Sequence, residues 1–508
     1  MQGEEKETTT QLISSNPSRS RTTVVGRNTT GKPRSIIDPR QKETQLFYKP
    51  EGDLDYVVDP AGKETHFIHD AMGRRTQVIP PAATPPAREP IYEYNVRGQV
   101  TRIIDPTDPN KYTRITYDGG GRRLEVRDPL QVGDPIWRTE YQYDNYGRLS
   151  RTNRWVRGAN GAAQQTQFHY DSMSNLDWIQ DTQARRTTFE YDGYNRAKAI
   201  LYPPDANEER KEAFTYYKNG LLKTRADRRG VVTTYTYDGL GRLMGKSYAG
   251  GSVPTAAVTF GYDGASNLNL ATDGGTTLNW THYLTGEPWT AINQQQQITL
   301  TYEYDDAGNR SSLDTALGFS LGYDHDDVGR LRNIRRGTDT FTLGYDDASR
   351  RRSLTYPNTV VANLTPDELS RLDLLEVLRG PSTIARFDYE YDDAGNRKRK
   401  ATPTVNETYT YDDLYQLDNV SRNTTLVENF DFDLAGNLIS TLALPNPNSW
   451  VYSNRNELLT KGSATFTYDP NGNLATKNDA TGLWTYEWDA GMSRALLRIE
   501  QRRRLKTV

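Results

Sequence analysis

Cysteine is absent from the 508-residue sequence, which excludes a disulfide framework and any thiolate metal site. No run of roughly 18 apolar residues occurs, so no segment reads as a membrane-spanning helix. An excess of one charge is also missing. The 63 basic and 66 acidic side chains leave a net charge of −3, which gives no field to steer nucleic acid or a membrane surface. Apolar residues are scarce, at 35% with a mean hydropathy of −0.83, where an ordinary domain carries about 45–50%. The opening stretch, Met1 to Thr10 (MQGEEKETTT), lacks the basic and apolar regions of a secretory signal peptide.

What the chain has in quantity is aromatic rings: 33 tyrosines, 12 phenylalanines and 8 tryptophans. Low hydrophobicity alone would suggest disorder, but disordered chains are poor in aromatics and high in net charge. Its length would suggest about three globular domains, yet too few apolar residues are present to fill them. A folded chain with a large wetted surface remains, either a broad sheet with one polar face or a shell around a polar space.

Self-similarity fixes the organisation. The clearest copy of a repeat is Tyr235-Thr236-Tyr237-Asp238-Gly239-Leu240-Gly241-Arg242-Leu243. Related copies are YQYDNYGRL, containing Tyr143, Asp144 and Gly147, and YEYDDAGNR, which occurs once with Tyr304 and Gly308 and again with Tyr391 and Gly395. FTYDPNGNL, with Tyr468 and Gly472, is another. With the second aromatic as anchor, the series runs Tyr48, His69, Tyr94, Tyr117, Tyr143, Tyr170, Tyr191, Tyr216, Tyr237, Tyr262, His282 and Tyr304. It continues through His325, Tyr345, Pro366, Tyr391, Tyr411, Phe432, Tyr452, Tyr468 and Trp488, making 21 units. Two residues before every anchor stands an aromatic or large aliphatic residue, from Leu46 to Tyr486.

Residues two apart share one side of a strand, so each unit offers an apolar pair, with a polar residue such as Glu93, Gln142 or Thr236 facing the other way. That is the pattern of an antiparallel sheet with one wet face. The Asp after the anchor suits a turn, and the fourth residue after the anchor must often accept positive φ. Gly fills that position 13 times, Ser four times and Asn twice, with Tyr415 and Met492 as exceptions that mark weaker units. Hairpin therefore follows hairpin, and rings of neighbouring units are expected to pair across strands. The reading is all-β: tandem hairpins in a long curved antiparallel sheet, a partial spiral shell. The array occupies 46–494, after a polar lead-in at 1–45 that holds a degenerate repeat and before a basic tail at 495–508.

Two stretches interrupt the rhythm. Pro80 to Pro90 (PPAATPPAREP) reads as an extended, polyproline-like surface loop. Thr365-Pro366-Asp367-Glu368 carries helix-start signals, but Asp367 to Leu372 also aligns with Asp238 to Leu243, and the degenerate repeat is favoured.

The pattern Y-D-x-x-G-R-L with an aromatic two residues earlier resembles the YD repeats of RHS proteins, of the shell-forming subunits of insecticidal toxin complexes, of bacterial wall-associated proteins and of animal teneurins. The resemblance covers nearly the whole chain. It implies a strip that spirals into a hollow shell holding a C-terminal toxin, or serving cell contact, in a secreted or cell-surface protein. The core segment with which such toxins typically close, resembling R-Y-Y-D-P-x-x-G-R-F, has no counterpart here. Asp59-Pro60-Ala61-Gly62 resembles its D-P-x-G but lies near the beginning, and the sequence ends at QRRRLKTV, so an incomplete piece of a larger protein is expected.

No catalytic, cofactor or metal residues are expected. His69, His282 and His325 replace Tyr at anchors, and His66 and His69 point to opposite faces of a strand. Asp305-Asp306, Asp346-Asp347 and Asp392-Asp393 lack the alternation of a calcium hand and read as turn chemistry. The basic run Asn396 to Lys400 reads as a solvated face rather than a nucleic-acid site. The expected partners are a toxin cargo or the remaining shell. A module binding cell-surface glycans is the alternative. The residues expected to define the repeat are Tyr94, Tyr117, Tyr143, Asp144, Gly147, Tyr170, Tyr191, Tyr235, Tyr237, Asp238, Gly241, Arg242, Tyr262, Tyr304, Gly308, Tyr391, Gly395, Tyr411, Tyr468 and Gly472.

Overall fold

A computed structural model describes residues 5–15, 18–128, 138–155, 163–205, 208–251, 255–446, 449–489 and 494–500. Among them are 45 strands and no α-helix, numbered from β1 (Glu5–Ser15) to β45 (Arg494–Glu500). Each of the 21 anchors is the last residue of an even-numbered strand, from Tyr48 in β4 (Glu43–Tyr48) to Trp488 in β44 (Gly482–Trp488). The sequence period and the structural period therefore coincide.

Every strand pairs antiparallel with the next, in three runs. They are β1 to β7 (Arg75–Ile79), β8 (Ile91–Tyr94) to β39 (Leu438–Thr441), and β40 (Trp450–Tyr452) to β45. No ladder joins β39 to β8 among the described residues, so the 32-stranded run is an open strip. The breaks fall at the two long irregular connections, the proline-rich 80–90 and the stretch after β39 that contains Pro445. Residues 360–379 form β32 (Val360–Pro366), a tight turn and β33 (Leu372–Arg379), paired in register from Val360↔Arg379 to Pro366↔Leu372. The helix-start signals at Thr365 are overridden because the segment is flanked by open ladders that its apolar residues can join.

The wall is one sheet thick. Glu93, Gln142, Thr236, Glu303, Glu390 and Thr467, the residues between the paired rings, are all exposed, while their ring neighbours are half-buried. Few apolar side chains are fully buried, Val231 and Ala199 being the extreme at 1% exposure. A strip that buries only one face needs few apolar residues, which accounts for the low hydropathy.

Candidate functional site: the repeat turn and the seam between laps

The repeat turn is built from its own five residues. In the copy at Asp238, the N–H of Asp238 donates to the carbonyl of Arg242, and Gly241 N–H donates to the carbonyl of Asp238, both at 3.0 Å. This is a type I turn closed by a left-handed residue and a bulge beside the anchor. Asp238 Oδ1 accepts the N–H groups of Leu240 and Arg242 at 2.9 Å, and Oδ2 accepts Arg242 Nε at 2.6 Å. The N–H and guanidinium of Arg242, against some opposing burial, hold the carboxyl below the usual aspartate range. Gly241 has φ +80°, and the fourth position after every described anchor is likewise positive, including Ser174, Asn195 and Tyr415. Met492 lies outside the described residues.

The same Arg also reaches the following unit. The Arg242 guanidinium lies 4.8 Å over the ring of Tyr262, and its NH1 donates to the carbonyl of Asp263 at 3.3 Å. Tyr262 in turn donates its hydroxyl to the carbonyl of Leu243 at 3.0 Å. The arrangement repeats with Arg148 over Tyr170, Arg196 over Tyr216, Arg330 over Tyr345 and Arg371 over Tyr391. Tyrosine hydroxyls bond back likewise from Tyr94, Tyr117, Tyr143, Tyr191, Tyr391, Tyr411 and Tyr468.

The expected pairing of neighbouring rings holds at some units, as between Tyr56 and His66 at 5.1 Å, but not between most anchors. Successive anchors sit two strands apart, about 9.6 Å, beyond the ~4.5–7 Å at which rings interact, so a guanidinium fills the gap. Where the turn ends in Leu221 or Glu287 instead of Arg, a tyrosine takes over. Tyr217 and Tyr283 occupy the Asp position and set their rings edge-on against Tyr237 and Tyr304, at 6.2 and 5.9 Å.

The strip has two edges. Repeat turns follow the even strands on one edge, and connectors follow the odd strands on the other. The connector edge of the early strands lies against the repeat-turn edge of strands far along the chain. Lys42, in the connector after β3 (Pro33–Ile37), pairs with Asp327 in the turn after β28 (Ser320–His325) at 2.7 Å. Lys63, after β5 (Leu54–Val58), pairs with Asp347, after β30 (Asp339–Tyr345), at 2.8 Å. Asp128, after β11 (Arg123–Arg127), accepts the Tyr415 hydroxyl, after β36 (Asn406–Tyr411), at 2.7 Å. In each case the strip has returned after 25 strands. At ~4.8 Å per strand one lap measures at least roughly 120 Å around, more if the strands tilt.

Further along, a connector lies between two turns, 23 and 25 strands on. The connector after β19 (Leu222–Ala226) meets the turn after β42 (Ala464–Tyr468), where Asn471 donates to Asp227 at 2.6 Å, and Arg229 of the same connector donates to the carbonyls of Trp488 and Asp489, after β44, at 3.1 and 3.0 Å. Asp227 and Asn471 are both buried, and Arg228 N–H donates to Asn471 Oδ1 at 3.0 Å.

Three sequence readings change at this seam. The Pro80 to Pro90 segment is no free surface loop but a strap across it. Arg350 and Arg352 donate to the carbonyls of Pro85 and Thr84, and Arg88 pairs with Glu368 at 2.7 Å. Two of the three aspartate pairs are only half turn chemistry: the first residue closes the turn, whereas Asp347 and Asp393 take a lysine from the lap below, as does Asp327 in the turn after β28. Tyr415 belongs to a regular turn and spends its unusual side chain on the seam. Sequence reasoning missed these contacts, although the second-position acids of the later turns were their signal.

The described residues contain no cluster of three His, Cys, Asp or Glu side chains placed to hold a metal ion. His66 pairs with Glu64 at 3.0 Å, on the face opposite His69. Arg399, in the basic run, pairs with Glu390 at 2.8 Å.

Comparison with known proteins agrees with this architecture. The RHS Repeat family model matches residues 216–253. Double-stranded DNA deaminase toxin A of Burkholderia cenocepacia (strain H111) is 27% identical over 420 residues, covering 80% of this chain and 24% of that protein. A Tc holotoxin pore structure from Photorhabdus luminescens superposes on 98% of this chain and 30% of its own, with a TM-score of 0.70 at 15% identity. The crystal structure of TcdB2-TccC3 without its hypervariable C-terminal region gives 0.70 at 15% identity, over 98% of this chain and 31% of the other. The chain thus spans about a quarter to a third of the length of these relatives. Its period, its turn and its neighbours agree: the chain is built of tandem YD repeats, one of which the RHS Repeat model matches, on the fold of the Tc structures.

Proposed function

We propose that this chain is a non-catalytic wall segment of an RHS shell, which in the full-length protein encloses or presents a C-terminal toxin. The observation that carries the reading is the seam. A strip that merely displayed side chains would gain nothing from docking its second lap on its first. One that must exclude other proteins from an interior has to close that gap. The contacts also recur at nearly every hairpin, leaving little room for a polypeptide to pass. In this reading the wall includes β1 to β3 of the 1–45 lead-in and β45 at the start of the 495–508 tail, whose ladders continue those of 46–494. The toxin relative and the fold shared with Tc assemblies support a cargo partner and a secreted or cell-surface location.

The test is protease protection in the full-length polypeptide. The segment following the repeats should resist a protease concentration that degrades it once the wall is unfolded in denaturant. Equal cleavage rates with the wall intact and unfolded would refute enclosure. Titration with cell-wall polysaccharide, read by tryptophan fluorescence, examines the glycan alternative, and no shift is expected.

A further inference from the structure

The seam changes its chemistry along its length. On the covered lap the second turn residue is acidic in six successive turns, from Asp306 to Asp413, and then becomes Leu434, Asn454 and Pro470. The lap below keeps supplying cations. Lys42, Lys63, Arg88 and Lys111 each reach a carboxylate across the seam at 2.7–2.8 Å. Arg185 and Arg228 reach neutral oxygens instead. Arg185, which ends the connector after β15 (Leu176–Gln180), donates to the side-chain oxygen of Asn456. Arg228, in the connector after β19, donates to the carbonyl of Asn471 and lies 4.6 Å over the ring of Tyr202.

Both arginines line one cleft of about 430 Å³ between the laps, together with Tyr202, Asn454, Arg455 and Glu457. Arg455 and Glu457 pair with each other at 3.1 Å, and Asp205 takes Arg455 as well at 2.7 Å. One lining carboxylate, Asp181, then remains for two guanidiniums. Its Oδ1 is occupied by the N–H groups of Gln183 and Arg185 at 2.9 Å, and its Oδ2 stands 4.0 Å from Arg185. The Arg185 side chain is only 12% exposed, and the Arg228 Nε is buried with no hydrogen-bond partner. Guanidinium charge withdrawn from water without a carboxylate is costly unless something else supplies the anionic oxygens.

We propose that this cleft binds a small polyanion, whose phosphate or carboxylate oxygens are held between Arg185 and Arg228 and take the place of the missing turn carboxylates. The turns that carry Asn456 and Asn471 follow β40 and β42, two strands or about 9.6 Å apart, so one compact molecule charged at both ends reaches both arginines. Both walls of the site belong to this chain, and the bound anion fastens one lap to the next.

Isothermal titration of the full chain at fixed ionic strength, with chloride as the background anion, should detect pyrophosphate with a dissociation constant below about 1 mM. Arg228→Gln should weaken it about tenfold or more. Asn456→Asp keeps the bonds that the Asn456 oxygen accepts from Arg185 and Asn437 but gives Arg185 a carboxylate, so it should weaken the anion without loss of the fold. Arg114→Gln, exposed on β10 (Asp108–Tyr117) away from the cleft, should bind as the wild type does. Citrate titrated in parallel separates carboxylate from phosphoryl oxygens, and the tighter of the two names the class of ligand. No binding of either anion at about 10 mM, unchanged affinity in Arg228→Gln or Asn456→Asp, or an equal loss in Arg114→Gln would each overturn the proposal.

Discussion

Asn471 and Asn219 occupy the same third position of the repeat turn, one under the seam and one on the free edge, so replacing each by alanine isolates what the seam contributes. Asn471 is buried, donates to Asp227 Oδ2 at 2.6 Å and accepts the Arg228 N–H at 3.0 Å. Asn471→Ala removes both bonds but does not strand the Asp227 charge, which keeps the Arg229 guanidinium at 3.1 Å and the Val231 N–H at 2.9 Å. The losses are one bond to a carboxylate and one buried amide left without an acceptor, together about 2–4 kcal/mol. Asn219 is exposed and accepts only locally, from the Leu221 N–H at 3.2 Å, so Asn219→Ala should cost about 0.5 kcal/mol or less. Stability in a repeat protein is a sum of local terms, so a global melting temperature would dilute the difference. Amide hydrogen exchange reads it directly. Residues 227–231 and 469–473 should exchange about 30- to 800-fold faster in Asn471→Ala, on both sides of the seam at once. Equal effects of the two substitutions, or an effect confined to 469–473, would refute the claim that the laps stabilise each other.

Three further outcomes follow from the repeat itself. Tyr262→Phe should cost about 0.5–1.5 kcal/mol by leaving the Leu243 carbonyl without its 3.0 Å donor, measured as faster exchange of the Leu243 and Tyr262 strands. Gly241→Asn should be tolerated, because Asn195 adopts φ 59° in the same position, whereas Gly241→Val at φ +80° should cost at least about 1–2 kcal/mol in a urea titration. Acid and alkali should both loosen the seam. The Lys42 ammonium holds Asp327 below its ordinary range, so that pair contributes above the unfolded aspartate pKa and is lost as pH falls through the folded value. Lys111 is raised, mainly by its bond to Asp393 and against some burial, so its contribution is present below the unfolded lysine pKa and lost as pH rises through the folded one. Exchange at 38–42 and 326–330 should quicken as pH falls below about 4, and Asp327→Asn should remove that acid response.

The parts of this architecture that were legible in the sequence are those whose physics is local. Asp238 caps its own turn within four residues, Gly241 supplies the left-handed backbone there, and Tyr235 and Tyr237 share a strand face by simple alternation. Any copy announces itself wherever it occurs, which is why the degenerate Asp367 to Leu372 could be placed by alignment despite its helix-start residues. The arginine clamp was half legible: Arg242 was seen as part of the motif, but its partner Tyr262 belongs to the next unit. The seam was not legible, because its pairs lie 243 to 287 residues apart and nothing local states how many strands make a lap.

Yet the information was present in a form that only the geometry decodes. Residue separations across the seam vary by tens of residues because connectors such as Pro80 to Pro90 are long, whereas the strand count stays between 23 and 25. The wall therefore counts hairpins, not residues. A connector can lengthen without moving the lap out of step, provided its basic residue still reaches an acid on the turn above. That separates two tasks within one repeat. The first and fourth residues of the turn make every hairpin alike, so the strip can propagate. The second differs from lap to lap, a carboxylate such as Asp327 or Asp347 where a lysine must be held and Asn145, Ser172 or Gly239 where it is not. Exchanging that residue between laps, without touching any ring, should unfasten the seam while leaving each hairpin intact.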